Sequence, residues 1–196
     1  MRRQLVTSVL ATVVLIVVLG VGYPLVMTGI AQLAFKSQAD GSPVSVGSHV
    51  VGSRLIGQAF SDASGQPIAR YFQPRPSAAG KGYDPTSSGG TQLGPTNAAL
   101  RSAVAERAAA YRRFNRLPAG APVPVDAVTT SGSGLDPDIS EANALDQVAR
   151  VAAARGLAPD RVTALVRAHV DHRPWGFLGE ASVNVLDLNL ALDRLG

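Results

Sequence analysis

The chain has 196 residues, no cysteine, three histidines, and 18 lysines and arginines against 14 aspartates and glutamates. That length accommodates one domain with a real core and hardly two, and the cysteine and histidine counts exclude most zinc constellations. Half of the net charge of +4 sits at Arg2 and Arg3, and no basic run carries interleaved aromatics, so the charge balance points to no nucleic-acid partner.

Residues 4–35 contain no charged side chain, and their centre, VLATVVLIVVLGVGYPLVM, is about as long as the roughly 20 residues a membrane-spanning helix needs. We read residues 5–33 as one transmembrane helix, giving a membrane segment over 1–36 and a domain over 37–196. A cleaved secretory signal is the alternative, since Met-Arg-Arg is a basic start and Gly-Ile-Ala at 29–31 has the small-x-small form of a cleavage site. Signal cores run about 7 to 15 apolar residues, and this one is much longer. Arg2 and Arg3 abut one end of the span and only Lys36 lies near the other. The positive-inside bias therefore predicts a cytoplasmic N-terminus and an extracytoplasmic domain. Within the span, Gly20, Gly22 and Pro24 should kink the helix or admit another one, and Ser8 with Thr12 forms a small-xxx-small pair.

After the span, VGSHVVGSRLIGQAF and IARYFQ alternate and carry β-branched or aromatic residues, which predicts short strands. A long irregular stretch follows, YFQPRPSAAGKGYDPT and then SSGGTQLGPTN, rich in proline and glycine and without apolar periodicity. Thr96 or Asn97 is a good N-cap, and Leu100, Val104, Ala108, Tyr111 and Phe114 recur at helical spacing up to about Asn115. A second irregular stretch contains a strand-like piece around 125–129. Ser140 should cap another helix, with Ala142, Leu145, Val148, Ala149 and Ala152 on one face and Gly156 ending it. Pro159 opens a further helix with Val162, Leu165, Val166 and His169 inward, and GFLGEASVNVLDLNLALDRL predicts a strand running into a short amphipathic helix. The fold class is α+β: one N-terminal membrane helix followed by a compact extracytoplasmic α+β domain.

Generic catalytic motifs are weak here. SGSGLD offers serines and glycines but not the G-x-S-x-G order of a nucleophile elbow, and Asp136 with Asp138 lacks the other ligands of a calcium loop. AGKGYDPTSSGGTQLG is glycine-rich without the spacing of a P-loop, although successive amides in SSGG could form an anion nest. His169 lies on an apolar helical face and His172 near the end of the same helix, and no third ligand joins them. No tightly bound cofactor is expected.

Six separated blocks are informative together: GSRLIGQAF, YFQPRPSA, YDPTSSGGTQLGPTN, VPVDAVTTSGSGLDPDIS, QVARVAAARGL and GFLGEASVNVLDLNLALD. In this order behind one N-terminal span, the chain resembles the C subunit of the Kdp-type potassium-transporting ATPase. The resemblance implies a non-catalytic accessory subunit of a high-affinity, ATP-driven potassium uptake complex. Its partners would be a channel-like potassium-translocating subunit, a P-type ATP-hydrolysing subunit, a small peptide subunit and the lipid bilayer. One role proposed in the family, a catalytic chaperone that raises ATP affinity through a loop compared with the ABC signature motif, would fall on Ser88, Gly89, Gly90 and Gln92, making ATP the one implied ligand; Ser87 stands where that pattern has leucine. The other role, an external cover or filter over the potassium entrance, agrees with the predicted topology, which places this loop across the membrane from ATP. We therefore expect the long loop, with Arg75, Pro76, Ser77, Tyr83 and Asn97, to dock onto the channel-like subunit. The rival from another class is a free-standing membrane-tethered envelope hydrolase using SGSGLDPD.

Overall fold

The structure, a computed structural model, describes residues 1–195. It divides into two compact units, Met1–Val51 and Gly52–Gly196, of which the C-terminal glycine lies outside the described residues.

The first unit is dominated by one apolar helix over Arg2–Ala34, long enough to cross a membrane. It consists of α1 (Arg2–Val17), a π-helical turn over Val18–Gly22, and α2 (Tyr23–Ala34). The wide turn has a local cause. Pro24 has no N–H, and its ring would collide with the carbonyl of Gly20 in a regular α-helix. The backbone opens instead, and the Tyr23 N–H donates to the Val18 carbonyl, five residues back. The sequence expectation of a perturbed span is thereby met by a π-turn. Ser8 and Thr12 donate their hydroxyls to the carbonyls of Gln4 and Ser8 at 2.9 and 2.8 Å, which satisfies them without a partner helix. A short helix α3 (Lys36–Ala39) and a two-stranded sheet of β1 (Pro43–Val46) and β2 (His49–Ser53) follow, the last two residues of β2 opening the second unit.

In the second unit, α4 (Ala98–Asn115) precedes a three-stranded antiparallel sheet of β3 (Asp138–Ser140), β4 (Val170–Asp171) and β5 (Ser182–Asn184). β5 is central, so that Ile139, Val183 and Val170 form one row across the sheet. Helices α5 (Glu141–Arg155), α6 (Pro159–Ala168) and α7 (Val185–Asp193) pack in succession, and α4 lies against α5. Their apolar stripes meet at Val148, Val151, Val162, Val166, Leu188 and Leu192, all buried.

The helix ends follow the predicted chemistry. Asn97 accepts the Ala99 N–H at 2.8 Å, Ser140 accepts the Asn143 N–H at 3.1 Å, Pro159 occupies the first turn of α6, and Gly156 follows α5. Asn184 caps α7 in the same way.

Three expectations need correction. The IARYFQ stretch is not a strand. Its backbone is instead held by side chains of two helices: Asn189 exchanges two hydrogen bonds with the main chain of Phe72 at 2.9 and 3.0 Å, and Gln147 does the same for Gln73 at 2.7 and 3.0 Å. The strand-like piece at 125–129 is a short 3-10 turn over Val125–Ala127, closed by the Thr129 hydroxyl on the Val125 carbonyl. On α5, Ala142 and Ala149 face solvent, whereas Asn143, Gln147 and Arg150 are buried. These polar residues form a second inward stripe, Gln147 and Arg150 bonding the irregular backbone at residues 69–73 and Asn143 bonding the side chains of Asp126, Tyr111 and Gln147, a case that polar-outside periodicity misassigns.

Candidate functional site

The anchored segment 69–73 launches the long irregular loop, and the geometry there is specific. Arg150, 3 % exposed, donates to the carbonyls of Ala69 and Tyr71 at 2.5 and 2.9 Å and to the side-chain oxygens of Asn115 and Gln147 at 2.8 and 2.7 Å. Its guanidinium also lies 4.3 Å from the centre of the Phe114 ring. Burial holds its pKa down to about 10. Phe72 is carried into the core from this platform.

Beyond Phe72 the loop folds onto the other irregular stretch, residues 131–136. Arg75 pairs with Asp136 at 2.6 Å, both side chains partly buried. Ser77 donates its hydroxyl to the Gly134 carbonyl at 2.6 Å and accepts the amides of Ala79 and Tyr83 at 3.1 and 2.8 Å. Tyr83, in the left-handed region at φ 55, returns its hydroxyl to the Arg75 carbonyl at 2.5 Å. Burial, then the Asp136 carboxylate, pushes the phenol above its ordinary pKa. Pro76 joins Arg75, Ser77 and Tyr83 around a cleft of about 270 Å³.

The SSGG stretch continues the contact. The Gly89 N–H donates to the Ser133 carbonyl at 2.8 Å, and the Ser88 hydroxyl reaches the same oxygen at 2.9 Å. Two glycines make this approach possible. A Cβ on Gly134, at φ 68, would stand 2.6 Å from the Gly89 carbonyl and 2.7 Å from the Ala79 nitrogen. One on Gly57 would stand 2.6 Å from the Asp136 carbonyl and 2.7 Å from the Tyr83 ring. Asp84 closes a local turn by accepting the hydroxyl and amide of Thr86, in that order the causes that hold its pKa below the ordinary value.

The expected site residues therefore separate into groups. Arg75, Pro76, Ser77 and Tyr83 form one interlocked cluster, and Ser88, Gly89 and Gly90 lie along residues 131–134. Gln92, at φ 55, is exposed, while Asn97 is the cap of α4. Of the residues that complete the arrangement, Ser133 and Gly134 lie in the SGSGLD stretch weighed from sequence as a catalytic segment, and Gly57 was not singled out. The signal was present only as glycine and serine in a second loop, and nothing local told which two loops would meet.

The ion pair and hydroxyls of this surface are engaged in holding two loops together, and among the described residues no three histidines, aspartates or glutamates converge as a metal site. His169 places Nδ1 2.9 Å from the Leu165 carbonyl. Asp138 accepts from Ser182 and Asn184 across the sheet, and burial raises its pKa.

Residues 5–194 match the family described as K+-transporting ATPase, c chain. The chain belongs to this family. Its relatives include the potassium-transporting ATPase KdpC subunits of Mycobacterium tuberculosis, 53 % identical over the full length of both chains, and of Koribacter versatilis, 50 % identical over 98 % of this chain and 95 % of the relative. The corresponding subunit of Myxococcus xanthus is 52 % identical over 99 % of this chain and 89 % of its own. The resemblance carried by the six sequence blocks thus extends over the whole c chain, from the apolar helix to α7. As a c chain, the protein is an accessory subunit of a potassium uptake complex.

Proposed function

We propose that the c chain is the non-catalytic subunit that stabilises and couples its complex, with the apolar helix in the inner membrane, the N-terminus in the cytoplasm and the α+β domain outside. There the outer rim of the long loop docks onto the channel-like subunit near the potassium entrance. The observation that supports this most directly is the division of labour within the loop. Arg75, Ser77, Tyr83, Ser88 and Gly89 are engaged with the chain's own domain, while Ser87, Gln92 and Leu93 remain at the surface on a shaped backbone. A loop built to be stiff and left exposed is suited to recognition, because little ordering entropy remains to be lost on binding.

The same geometry disfavours a nucleotide on Ser88, Gly89, Gly90 and Gln92. An anion nest needs successive free amides, and the Gly89 amide is already donated to Ser133. Direct sharing of ATP with the P-type subunit also requires the domain on the cytoplasmic side, which the arginine placement opposes.

The test uses exposed positions, since loss of Arg75 would disturb the fold. Gln92→Ala combined with Leu93→Ser in the intact complex should weaken co-purification with the larger subunits and lower apparent potassium affinity, with the melting of the c chain unchanged. Unaltered assembly and transport would remove the docking role. In parallel, Ser87→Cys in this cysteine-free chain should react with a membrane-impermeant thiol reagent on intact cells. Protection lost only on lysis would reverse the topology.

A further inference from the structure

The connection between β4 and β5 ends in an exposed apolar tip, Pro-Trp-Gly-Phe-Leu-Gly, at residues 174–179. Trp175 is 84 % exposed, Phe177 69 % and Leu178 43 %, and the two rings stand 6.5 Å apart on the outside of the domain. Trp175 is also held at φ 54, a left-handed conformation that a bulky residue rarely adopts. The strain presents an indole to the surroundings beside an equally outward Phe177 and buries little of it in the domain, the reverse of what folding alone favours. The tip carries no charge. Its base is closed by the ion pair of Arg173 with Glu180, so the charged groups begin where the apolar stretch ends.

We propose that this tip is an interfacial anchor that inserts Trp175, Phe177 and Leu178 into the headgroup boundary of the same bilayer that holds the N-terminal helix. Three features favour lipid over a protein surface. The apolar groups form a protruding tip and not a groove or flat face, and its side chains offer only the indole N–H for polar specificity. Tryptophan is the side chain that prefers the membrane interface, with its ring buried and its N–H hydrated. The third feature is connectivity. Only residues 35–51, which include α3 and most of the β1–β2 hairpin, separate the apolar helix from the second unit, so the domain is tethered close to the bilayer that holds the helix. Three side chains would hold a free domain to vesicles only weakly, but a tether converts the second attachment into an intramolecular event at roughly millimolar effective concentration. The anchor would fix the tilt of the domain over the membrane. This inference rests on the helix being membrane-embedded and is independent of the docking loop.

Trp175 is the sole tryptophan of the chain, which makes it its own reporter. The full chain is reconstituted into phosphatidylcholine/phosphatidylglycerol vesicles with and without acyl-chain bromination. Flotation with the vesicles reports the helix, whatever the tip does. Trp175 fluorescence reports the tip: the expected result is quenching by brominated lipid, protection from aqueous iodide, and partial reversal of both by Phe177→Ser with Leu178→Ser, substitutions at exposed sites checked for an unchanged circular dichroism spectrum. Emission open to iodide and unaffected by bromine would overturn the proposal. Protection from both quenchers would also overturn it, because the tip would then be covered by protein. A chain that fails to float would refute the membrane placement of the helix and the anchor with it.

Discussion

Replacing Arg150 by methionine tests whether the side-chain scaffold, and not a sheet, holds the segment that launches the long loop. The guanidinium donates to four neutral oxygens, those of Ala69, Tyr71, Asn115 and Gln147. Gln147 Oε1 keeps the Gln73 N–H and the Tyr71 carbonyl keeps the Gln73 side-chain amide, so two acceptors, the Ala69 carbonyl and Asn115 Oδ1, lose their donor, at about 1–3 kcal/mol each. Against this, methionine removes a cation whose burial has already lowered its pKa from 12.5 to about 10, a shift worth roughly 3 kcal/mol. The loss of these two partners, together with the lost stacking on Phe114, exceeds that relief only modestly. We expect a net destabilisation of about 1–3 kcal/mol, seen as a fall in Tm of roughly 3–10 °C for the full chain in detergent. Native-state hydrogen exchange should show the Phe72 and Gln73 amides losing protection before those of α5. Arg150→Lys, which keeps the charge with a different donor geometry, should fall between the two. A loss below about 1 kcal/mol for the methionine variant, with Phe72 and Gln73 still protected, would show that the buried donor set does not hold the segment.

Gly134→Ala should separate the two loops. Left-handed backbone at a non-glycine residue costs about 1–2 kcal/mol, and overpacking against the Gly89 carbonyl and Ala79 adds roughly 1–3 kcal/mol. The expected outcome is faster proteolysis within residues 77–90 with the core helices intact, and equal cleavage rates would refute the interlock. Asp138 gives a pH signature. Its folded pKa lies above the ordinary 3.8, so the native state binds the proton more readily; its contribution is fullest at low pH and declines as pH rises through the window between 3.8 and the raised value. Thermal melts across that window should show wild type losing stability relative to Asp138→Asn as pH increases, and parallel curves would contradict the assignment.

What the sequence made legible were features whose causes are local. The span, its disturbed turn at Pro24, and the caps at Asn97, Ser140 and Pro159 depend on neighbours a few residues away, and they stand where the spacing placed them. The IARYFQ stretch has the alternation of a strand because Phe72 does point into the core, but its backbone partners are carboxamides on helices far along the chain. Asn143, Gln147 and Arg150 were hidden by the same logic, since polar residues on an amphipathic helix are ordinarily assigned to water. For the candidate site, the long loop was visible as an irregular stretch, and the family resemblance marked which of its residues to watch. Its fit against residues 131–136 depends on two close glycine contacts and an ion pair across the fold, which no periodicity encodes.

The paired carboxamides of Asn189 and Gln147 have one more consequence. Two strands in a ladder can slide past each other by two residues and restore nearly every bond, because each rung resembles the next. The segment at Phe72 and Gln73 has no such freedom, since its rungs are two fixed sockets on separate helices and a slip would draw Phe72 out of the core. The irregular loop therefore begins from an indexed origin. Whatever surface it presents at Gln92, nearly twenty residues later, is counted from a point that cannot shift, which lets a loop without regular structure keep a reproducible shape.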